Sequence, residues 1–295
     1  MEWLQAVILG LVQGITEFLP ISSTAHLRIL PELFGWEEPG ASFTAVTQLG
    51  SGVAIVLFFA RDIARITSAW TRSLANREVL RSDELVEIDH GGRIGRHRRR
   101  TWDPADARLG WFVIIGTIPI VIAGVLLDDL VRTEFRSLWV VGATFVVLGI
   151  VLWIADRTGR RSLDIRGLNL KHAVTIGIAQ MAALVPGVSR SGATISMALF
   201  LGYEREAAAR FALLLAIPAV VAAGIYEIPV AMGTESVYGT GPTLLATVVA
   251  FLSSYATVVW LLRWLQTRTY TPFVLYRVIS GLLILGLLAG GVLTP

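Results

Sequence analysis

The sequence predicts an all-α polytopic membrane protein, built as an inverted repeat of one re-entrant helical hairpin plus three transmembrane helices per half. Three observations support this fold class. Hydrophobic residues make up 54% of the chain and the mean hydropathy is +0.66, which is more apolar than a soluble domain. Several apolar runs are long enough to span a membrane. Two further apolar stretches resemble one another, and both break at a proline.

The uninterrupted apolar runs are the predicted spans. A hydrocarbon core of about 30 Å requires roughly 20 apolar residues in a helix. The runs of about this length are Ala41–Ala60, Gly110–Leu127, Leu138–Ala155, Ala207–Tyr226, Leu244–Leu262 and Phe273–Leu293. The interrupted stretches, Met1–Leu30 and His172–Leu201, are predicted to enter the membrane and return on the same side. Helices are expected throughout because the backbone in lipid must satisfy its own hydrogen bonds.

Arginines and the single lysine predict the orientation. The segments 61–108, 156–171 and 263–277 are basic, whereas 31–40 and 227–242 carry no Arg or Lys. The positive-inside rule therefore places the three basic segments in the cytoplasm. We interpret 1–295 as one membrane domain, with a first half at 1–155 that contains a cytoplasmic insert at 61–108, and an inverted second half at 156–295. Because each half has three spans, an odd number, the second half is inverted relative to the first. The two hairpins are therefore predicted to enter the membrane from opposite faces and to approach each other.

Composition excludes some chemistry. The chain has no cysteine, so disulfides, thiolate metal sites and a cysteine nucleophile are excluded. The insert at 61–108 has eleven arginines, which admits binding of anionic lipid or nucleic acid. It also has eight acidic residues, which favours a solvated loop that sets orientation, and we expect no nucleic-acid partner.

The first break, at residues 10–26, reads GLVQGITEFLPISSTAH. Gln13 and Glu17 are four residues apart and share one helix face. A carboxylate within an apolar run is costly and is by default a candidate functional residue. Ser22, Ser23 and Thr24 follow the proline, where a second half-helix would begin, and His26 lies on the face of Ser23. A hydroxyl beside an imidazole and a carboxylate is the arrangement of an activated nucleophile.

The second break, at residues 177–194, reads GIAQMAALVPGVSRSGAT. Ser189, Arg190 and Ser191 lie at the predicted start of a half-helix, and Gly192 allows close approach of the backbone. Free N–H groups at a helix N-terminus, hydroxyls and a guanidinium together form an anion site. A buried arginine also needs an anionic partner, either Glu17 or a ligand. The two breaks together predict a pocket for a polyanion at membrane depth.

Each feature also has a purely structural interpretation. Ser, Thr, Pro and Gly pack or bend many transmembrane helices, a single histidine is often a satisfied core group, and Glu17 with Arg190 could be a structural ion pair. The joint occurrence at two matching breaks favours a site. Its predicted members are Gln13, Glu17, Ser23, His26, Arg190 and Thr194.

The two motifs resemble those of the membrane undecaprenyl-diphosphate phosphatase family, the type linked to bacitracin resistance. The first family motif begins with a glutamate or glutamine and has a second glutamate four residues later. It continues as F-L-P-(I/V)-S-S-T-x-H, and residues 13–26 match it throughout. The second is P-G-x-S-R-S-G-x-T, matched by 186–194, and a third patch, T-Q-L-G-S at 47–51, includes Gln48. Because Gln13 occupies the first motif position, only one carboxylate remains, which weakens a scheme with two glutamates on one metal.

The resemblance implies hydrolysis of undecaprenyl diphosphate to the monophosphate and inorganic phosphate, which recycles the lipid carrier of cell-wall synthesis. It implies a multi-pass protein of the plasma membrane, in contact with membrane lipids, with a polyprenyl diphosphate substrate, and it favours a homodimer. The expected catalytic residues are Glu17, Ser23, His26 and Arg190. The expected substrate-binding residues are Gln13, Ser22, Thr24, Gln48, Ser189, Ser191, Gly192 and Thr194. Glu17 is the candidate ligand of a divalent cation, Mg²⁺ or Ca²⁺.

The sequence leaves the mechanism open. Ser23 is the leading candidate nucleophile, with His26 as its base and Glu17 orienting His26 or binding the cation; His26 or water could instead attack directly. A transporter of lipid carrier or of a small anion is the competing class, because inverted repeats with broken helices are also the transporter plan. A structural scaffold is a third class, in which the buried charges have no purpose. The feature that distinguishes the enzyme from the carrier is the Ser23 and His26 pair, because transport requires binding groups but no nucleophile with a base.

Overall fold

The computed structural model describes residues 2–75, 103–127, 130, 137–232 and 237–294. These residues form a helical protein, which confirms the predicted all-α class. The helices are α1 Glu2–Thr16, α2 Ser23–Phe34, α3 Gly40–Phe58, α4 Ala60–Ala75, α5 Pro104–Leu126, α6 Leu138–Thr158, α7 Leu170–Met181, α8 Arg190–Phe200, α9 Arg205–Met232, α10 Thr240–Leu265 and α11 Thr271–Ala289.

Four described helices, α5, α6, α10 and α11, are long and apolar enough to cross a membrane. Helices α3 and α4 together are a fifth candidate, bent by 71° between them. Helix α9, which covers the remaining predicted span, has 28 residues. The chain is therefore a multi-pass helical membrane protein, and its division into inverted halves at 1–155 and 156–295 stays a prediction.

The predicted insert begins with a helix. Helix α4 buries Ile66, Ala69 and Ser73 on one face, while Arg61, Arg65 and Arg72 are exposed. Asp62 accepts hydrogen bonds from Arg65 at 2.9 Å and from Arg210 of α9 at 2.6 Å. The bond from Arg210 holds α4 against the bundle. Residues 76–102 of the insert lie outside the described residues.

Glycines allow the helices before both breaks to pack closely against their neighbours. Helix α1 lies on α10, and α7 lies on α5. A Cβ atom at Gly10 would be 2.4 Å from the carbonyl oxygen of Ala246, and one at Gly177 would be 2.3 Å from that of Gly116. Only a residue without a side chain fits at these distances. The two G-x-x-Q motifs therefore fix where each broken helix lies.

Both breaks turn through a serine with a left-handed backbone. Ser22 precedes α2 with φ of 70°, and Ser189 precedes α8 with φ of 72°. L-residues rarely adopt this region, and each instance costs roughly 1–3 kcal/mol, so surrounding contacts must hold it in place. Strain repeated at two matching positions indicates a functional constraint there.

Candidate active site

The two breaks meet inside the bundle. Ser191 Oγ donates to the backbone carbonyl of Leu19 at 2.9 Å, and Arg190 Nη2 lies 2.6 Å from Glu17 Oε1. The predicted juxtaposition is therefore present, with Ser23 and Arg190 bound to the same carboxylate. A single diphosphate can contact both breaks in this arrangement.

Glu17 is the centre of the cluster. Its Oε1 atom receives the hydrogen bond from Arg190, while its Oε2 atom accepts one from Ser23 Oγ at 2.6 Å and one from Gln13 Nε2 at 3.1 Å. Its side chain is only 5% exposed. The hydroxyl hydrogen of Ser23 therefore points at a carboxylate that can accept it as a proton.

His26 has different neighbours from those predicted. Its Nδ1 atom lies 2.6 Å from the backbone carbonyl of Ser22, and its Nε2 atom lies 2.5 Å from the hydroxyl of Tyr276 on α11. Both ring nitrogens thus bond groups other than Ser23 and Glu17. Among the described residues, the predicted hydrogen bonds of His26 to Ser23 and to Glu17 are therefore absent, and Ser23 bonds Glu17 instead. The reason is that Glu17 reaches Ser23 across the turn and takes the place expected of the imidazole.

The N-terminus of α2 is open to an anion. Ser22 is the N-cap residue, but its side chain accepts no hydrogen bond from a backbone N–H of the helix; its hydroxyl bonds instead with Thr24 Oγ1 at 3.1 Å. The first N–H groups of a helix have no intrahelical partners. Thr24 is exposed beside them. Ser22 and Thr24 therefore lie where the sequence predicted substrate contacts.

The N-terminus of α8, unlike that of α2, is capped by a side chain. Ser189 Oγ accepts a hydrogen bond from the Gly192 N–H at 3.1 Å and bonds with Ser191 Oγ at 3.0 Å. Thr194 is fully buried, and its hydroxyl donates to the Arg190 carbonyl at 2.8 Å. Thr194 therefore braces the turn that carries Arg190. Gln48, on α3, is half-buried, and within the described chain it makes no hydrogen bond to the Glu17 cluster.

Arg277 belongs to the site, although sequence reasoning counted it with a basic loop. It lies within α11, is 1% exposed, and donates to the carbonyls of Pro20 at 3.1 Å and Gly187 at 2.7 Å. It also donates to two carbonyls of α6, those of Thr144 and Phe145. One guanidinium thus joins both breaks to α6. The signal that could have found it is a lone charge inside the apolar run Phe273–Leu293.

The charges of the cluster favour an anionic ligand. In the described part of the chain, Arg277 bonds backbone carbonyls and lies over the Phe145 ring, and Glu17 is the one carboxylate bonded to Arg190. Two guanidiniums and two helix N-termini therefore lie at the breaks, and Glu17 is the one described carboxylate that pairs with either guanidinium. In a poorly solvated site, a diphosphate would neutralise the excess of positive charge.

The described side chains do not by themselves form a metal site. Among them, no group of three or more His, Cys, Asp or Glu residues could hold an ion. Both oxygens of Glu17 already accept hydrogen bonds. Mg²⁺ usually takes one or two carboxylates together with substrate phosphates. The donor set here fits a cation only when diphosphate oxygens supply most of the ligands.

Comparison with known proteins identifies the family. The family model described as "Bacitracin resistance protein BacA" matches residues 6–283. An undecaprenyl-diphosphatase of Nocardioides sp. (strain ATCC BAA-499 / JS614) is 51% identical over 99% of this chain and 98% of the relative. An undecaprenyl-diphosphatase of Micrococcus luteus is 46% identical over the full length of both chains, and one of Thermobifida fusca is 44% identical over all of this chain and 93% of the relative. With its motifs, its multi-pass helical fold and matches along nearly its whole length, the chain belongs to the BacA family of bacitracin resistance proteins.

Proposed function

We propose that this protein hydrolyses undecaprenyl diphosphate to undecaprenyl phosphate and inorganic phosphate, and so recycles the lipid carrier of peptidoglycan synthesis. The observation that carries the proposal is the short Ser23–Glu17 hydrogen bond beside Arg190 at the junction of the two breaks. The relatives that match over nearly the whole chain bear the name undecaprenyl-diphosphatase. A polar cluster inside apolar helices suits a substrate with a charged head and a polyprenyl tail.

In the first step, Ser23 Oγ attacks the terminal phosphorus of the diphosphate. Its proton moves to Glu17 Oε2, which already accepts its hydrogen bond at 2.6 Å. The bond between that phosphorus and the bridging oxygen breaks, and undecaprenyl phosphate leaves with the electron pair. Arg190 turns from Glu17 to the phosphate oxygens, and the open N–H groups of α2 stabilise the charge on the transferred group.

In the second step, water attacks the phosphoserine. One proton of the water passes to Nε2 of His26, the bond between phosphorus and Ser23 Oγ breaks, and inorganic phosphate leaves. Ser23 Oγ recovers its proton from Glu17, and His26 releases its own to solvent. The hydrogen bond from Nδ1 to the Ser22 carbonyl supports this role because it places the hydrogen on Nδ1 and leaves the lone pair on Nε2.

We retain the divalent cation as part of the proposal, with the diphosphate as its principal ligand and Glu17 as the candidate protein ligand. Mg²⁺ or Ca²⁺ would neutralise charge on the diphosphate when bound. Localisation in the plasma membrane and assembly as a homodimer are proposed from the family. A fluorescent fusion in cells tests the first, and light scattering of the detergent-solubilised protein tests the second.

Purified protein in detergent, supplied with a prenyl diphosphate, tests the function through phosphate release. We expect turnover in the wild type, a loss of about 100-fold or more in Ser23→Ala, and a smaller loss in Thr24→Ala as the neighbouring hydroxyl control. A trapped phosphoenzyme should carry phosphate on Ser23. Near-normal turnover of Ser23→Ala removes serine as the nucleophile and leaves His26 or water.

The carrier alternative is tested in the same preparation. Transport needs binding groups but no hydroxyl that shares a proton with a carboxylate. Movement of the substrate across reconstituted vesicles without phosphate release would contradict the enzymatic proposal. In cells, raised expression should increase bacitracin resistance, and the Ser23→Ala variant should not.

A further inference from the structure

The partner of His26 Nε2 is the hydroxyl of Tyr276. The two atoms lie 2.5 Å apart, and the two rings are stacked with 5.6 Å between centroids and an interplanar angle of 10°. Phe145 of α6 contacts the imidazole at 5.8 Å in a tilted arrangement. The His26 ring is therefore held by a hydrogen bond on each nitrogen and by aromatic rings from α6 and α11.

Tyr276 lies at the boundary between the site and the membrane. Its side chain is 42% exposed, and Ile279 and Leu283, on the same face of α11, are 63% and 60% exposed. Such a stripe faces lipid in a transmembrane helix. Arg277, the next residue, lies about 100° further around the helix. It is buried and bonds the carbonyls of Pro20 and Gly187. Two consecutive residues of α11 thus contact the site: Tyr276 bonds His26 from the exposed side, and Arg277 bonds the two breaks from the buried side.

We propose that Tyr276 is a positioning residue of the hydrolysis, which holds the His26 ring in the orientation that presents Nε2 to the attacking water. The proposal rests on the proposed function. The carbonyl of Ser22 can only accept, so Nδ1 carries the hydrogen and Nε2 accepts from the Tyr276 hydroxyl. The hydroxyl yields this position to water in the second step. Without it, the imidazole keeps its backbone bond but is freer to tilt, and fewer molecules are aligned for proton transfer.

The first test compares Tyr276→Phe with the wild type in the phosphate-release assay. The phenylalanine ring keeps the stacking and removes only the hydroxyl. We expect kcat to fall about tenfold while KM changes less than twofold, because Tyr276 touches the imidazole and not the diphosphate. Tyr255→Phe is the matched control: Tyr255 on α10 is also 42% exposed and stacks edge-on against Phe58, and its loss should leave kcat unchanged.

The second test separates positioning from packing. In a His26→Ala background, Tyr276→Phe should reduce kcat no further, because its partner is already gone. Replacement of Tyr276 by fluorotyrosines of increasing acidity should change kcat in a graded way with almost no change in ring size. Additive losses in the double variant, a flat response to fluorination, or wild-type kcat in Tyr276→Phe would each overturn the proposal. Failure of the wild type to release phosphate would instead refute the proposed function, together with this inference.

Discussion

Arg190 and Glu17, 173 positions apart in the chain, form an ion pair with 2.6 Å between Nη2 and Oε1. Each charge lies in a short apolar hairpin, where an unpaired ion costs about 2.5–3.5 kcal/mol on insertion scales. Together they join the start of α8 to the end of α1. The same carboxylate accepts a hydrogen bond from the Ser23 hydroxyl, so the ion pair that joins the two breaks also orients the proposed nucleophile.

Replacement of Glu17 by glutamine should therefore affect activity and stability together. The change leaves Arg190 without an anion and Ser23 without a proton acceptor. We expect turnover to fall by about 100-fold or more and the thermal midpoint to drop by several degrees. Glu204→Gln, at an exposed carboxylate between α8 and α9, should change neither quantity.

The double variant Glu17→Gln/Arg190→Gln distinguishes the two roles. It removes both charges, so its thermal midpoint should recover above that of Glu17→Gln alone, while activity stays lost. Recovery of turnover in the double variant would show that the pair is purely structural. Thermal unfolding followed by intrinsic fluorescence, alongside phosphate release, gives both readouts.

Arg277→Met should destabilise the protein more than any exposed arginine does. The substitution removes a donor from four carbonyl oxygens, and those of Pro20 and Gly187 lie in the breaks, outside the helices. Each carbonyl that stays buried and unsatisfied costs roughly 1–3 kcal/mol. Lysine at this position should recover part of the loss, because an ammonium has fewer donors and no planar fork. Arg263→Met, at an exposed position of α10, is the control and should unfold at the wild-type temperature.

The glycines of the two G-x-x-Q motifs should not tolerate alanine. An added Cβ would lie 2.4 Å from a backbone oxygen of α10 at Gly10, and 2.3 Å from one of α5 at Gly177. We expect Gly10→Ala and Gly177→Ala each to lower the thermal midpoint and to reduce turnover by displacing a break. Gly286→Ala meets no atom within 4 Å and should leave stability unchanged or slightly higher. Wild-type stability of both interface variants would contradict the close packing.

Cation dependence should appear only with the substrate. Titration calorimetry of the protein alone should show no tight binding of Mg²⁺ or Ca²⁺, since Glu17 is already saturated with hydrogen-bond donors. Chelation during turnover should lower the rate, and added cation should restore it. Tight binding without a diphosphate would indicate a protein-held site and contradict the ligand arrangement proposed above.

The sequence predicted most of the members of the site but not their partners. Gln13, Glu17, Ser23 and Arg190 converge as expected because two long motifs identify residues that an apolar hairpin would not otherwise carry. The sequence predicted His26 as the partner of Ser23, whereas the structure has Ser23 hydrogen-bonded to Glu17. Spacing along α2 places His26 near Ser23, but whether Glu17 or His26 reaches the hydroxyl depends on how the chain turns between Phe18 and Ser22.

Tyr276 and Arg277 were missed for a related reason. They come from α11, some 250 residues after the first break, and no local pattern connects them to it. Helix packing alone brings one of them to His26 and the other to the Pro20 carbonyl.

By itself, the sequence determined the membrane class, the positions of the breaks and the residue types of the candidate site, because hydropathy, proline and charge act locally. The tertiary structure decided which donor meets which acceptor. Hydrogen bonds depend on fractions of an ångström between atoms of different helices, and only the packing of α1, α2, α6, α8 and α11 sets those distances.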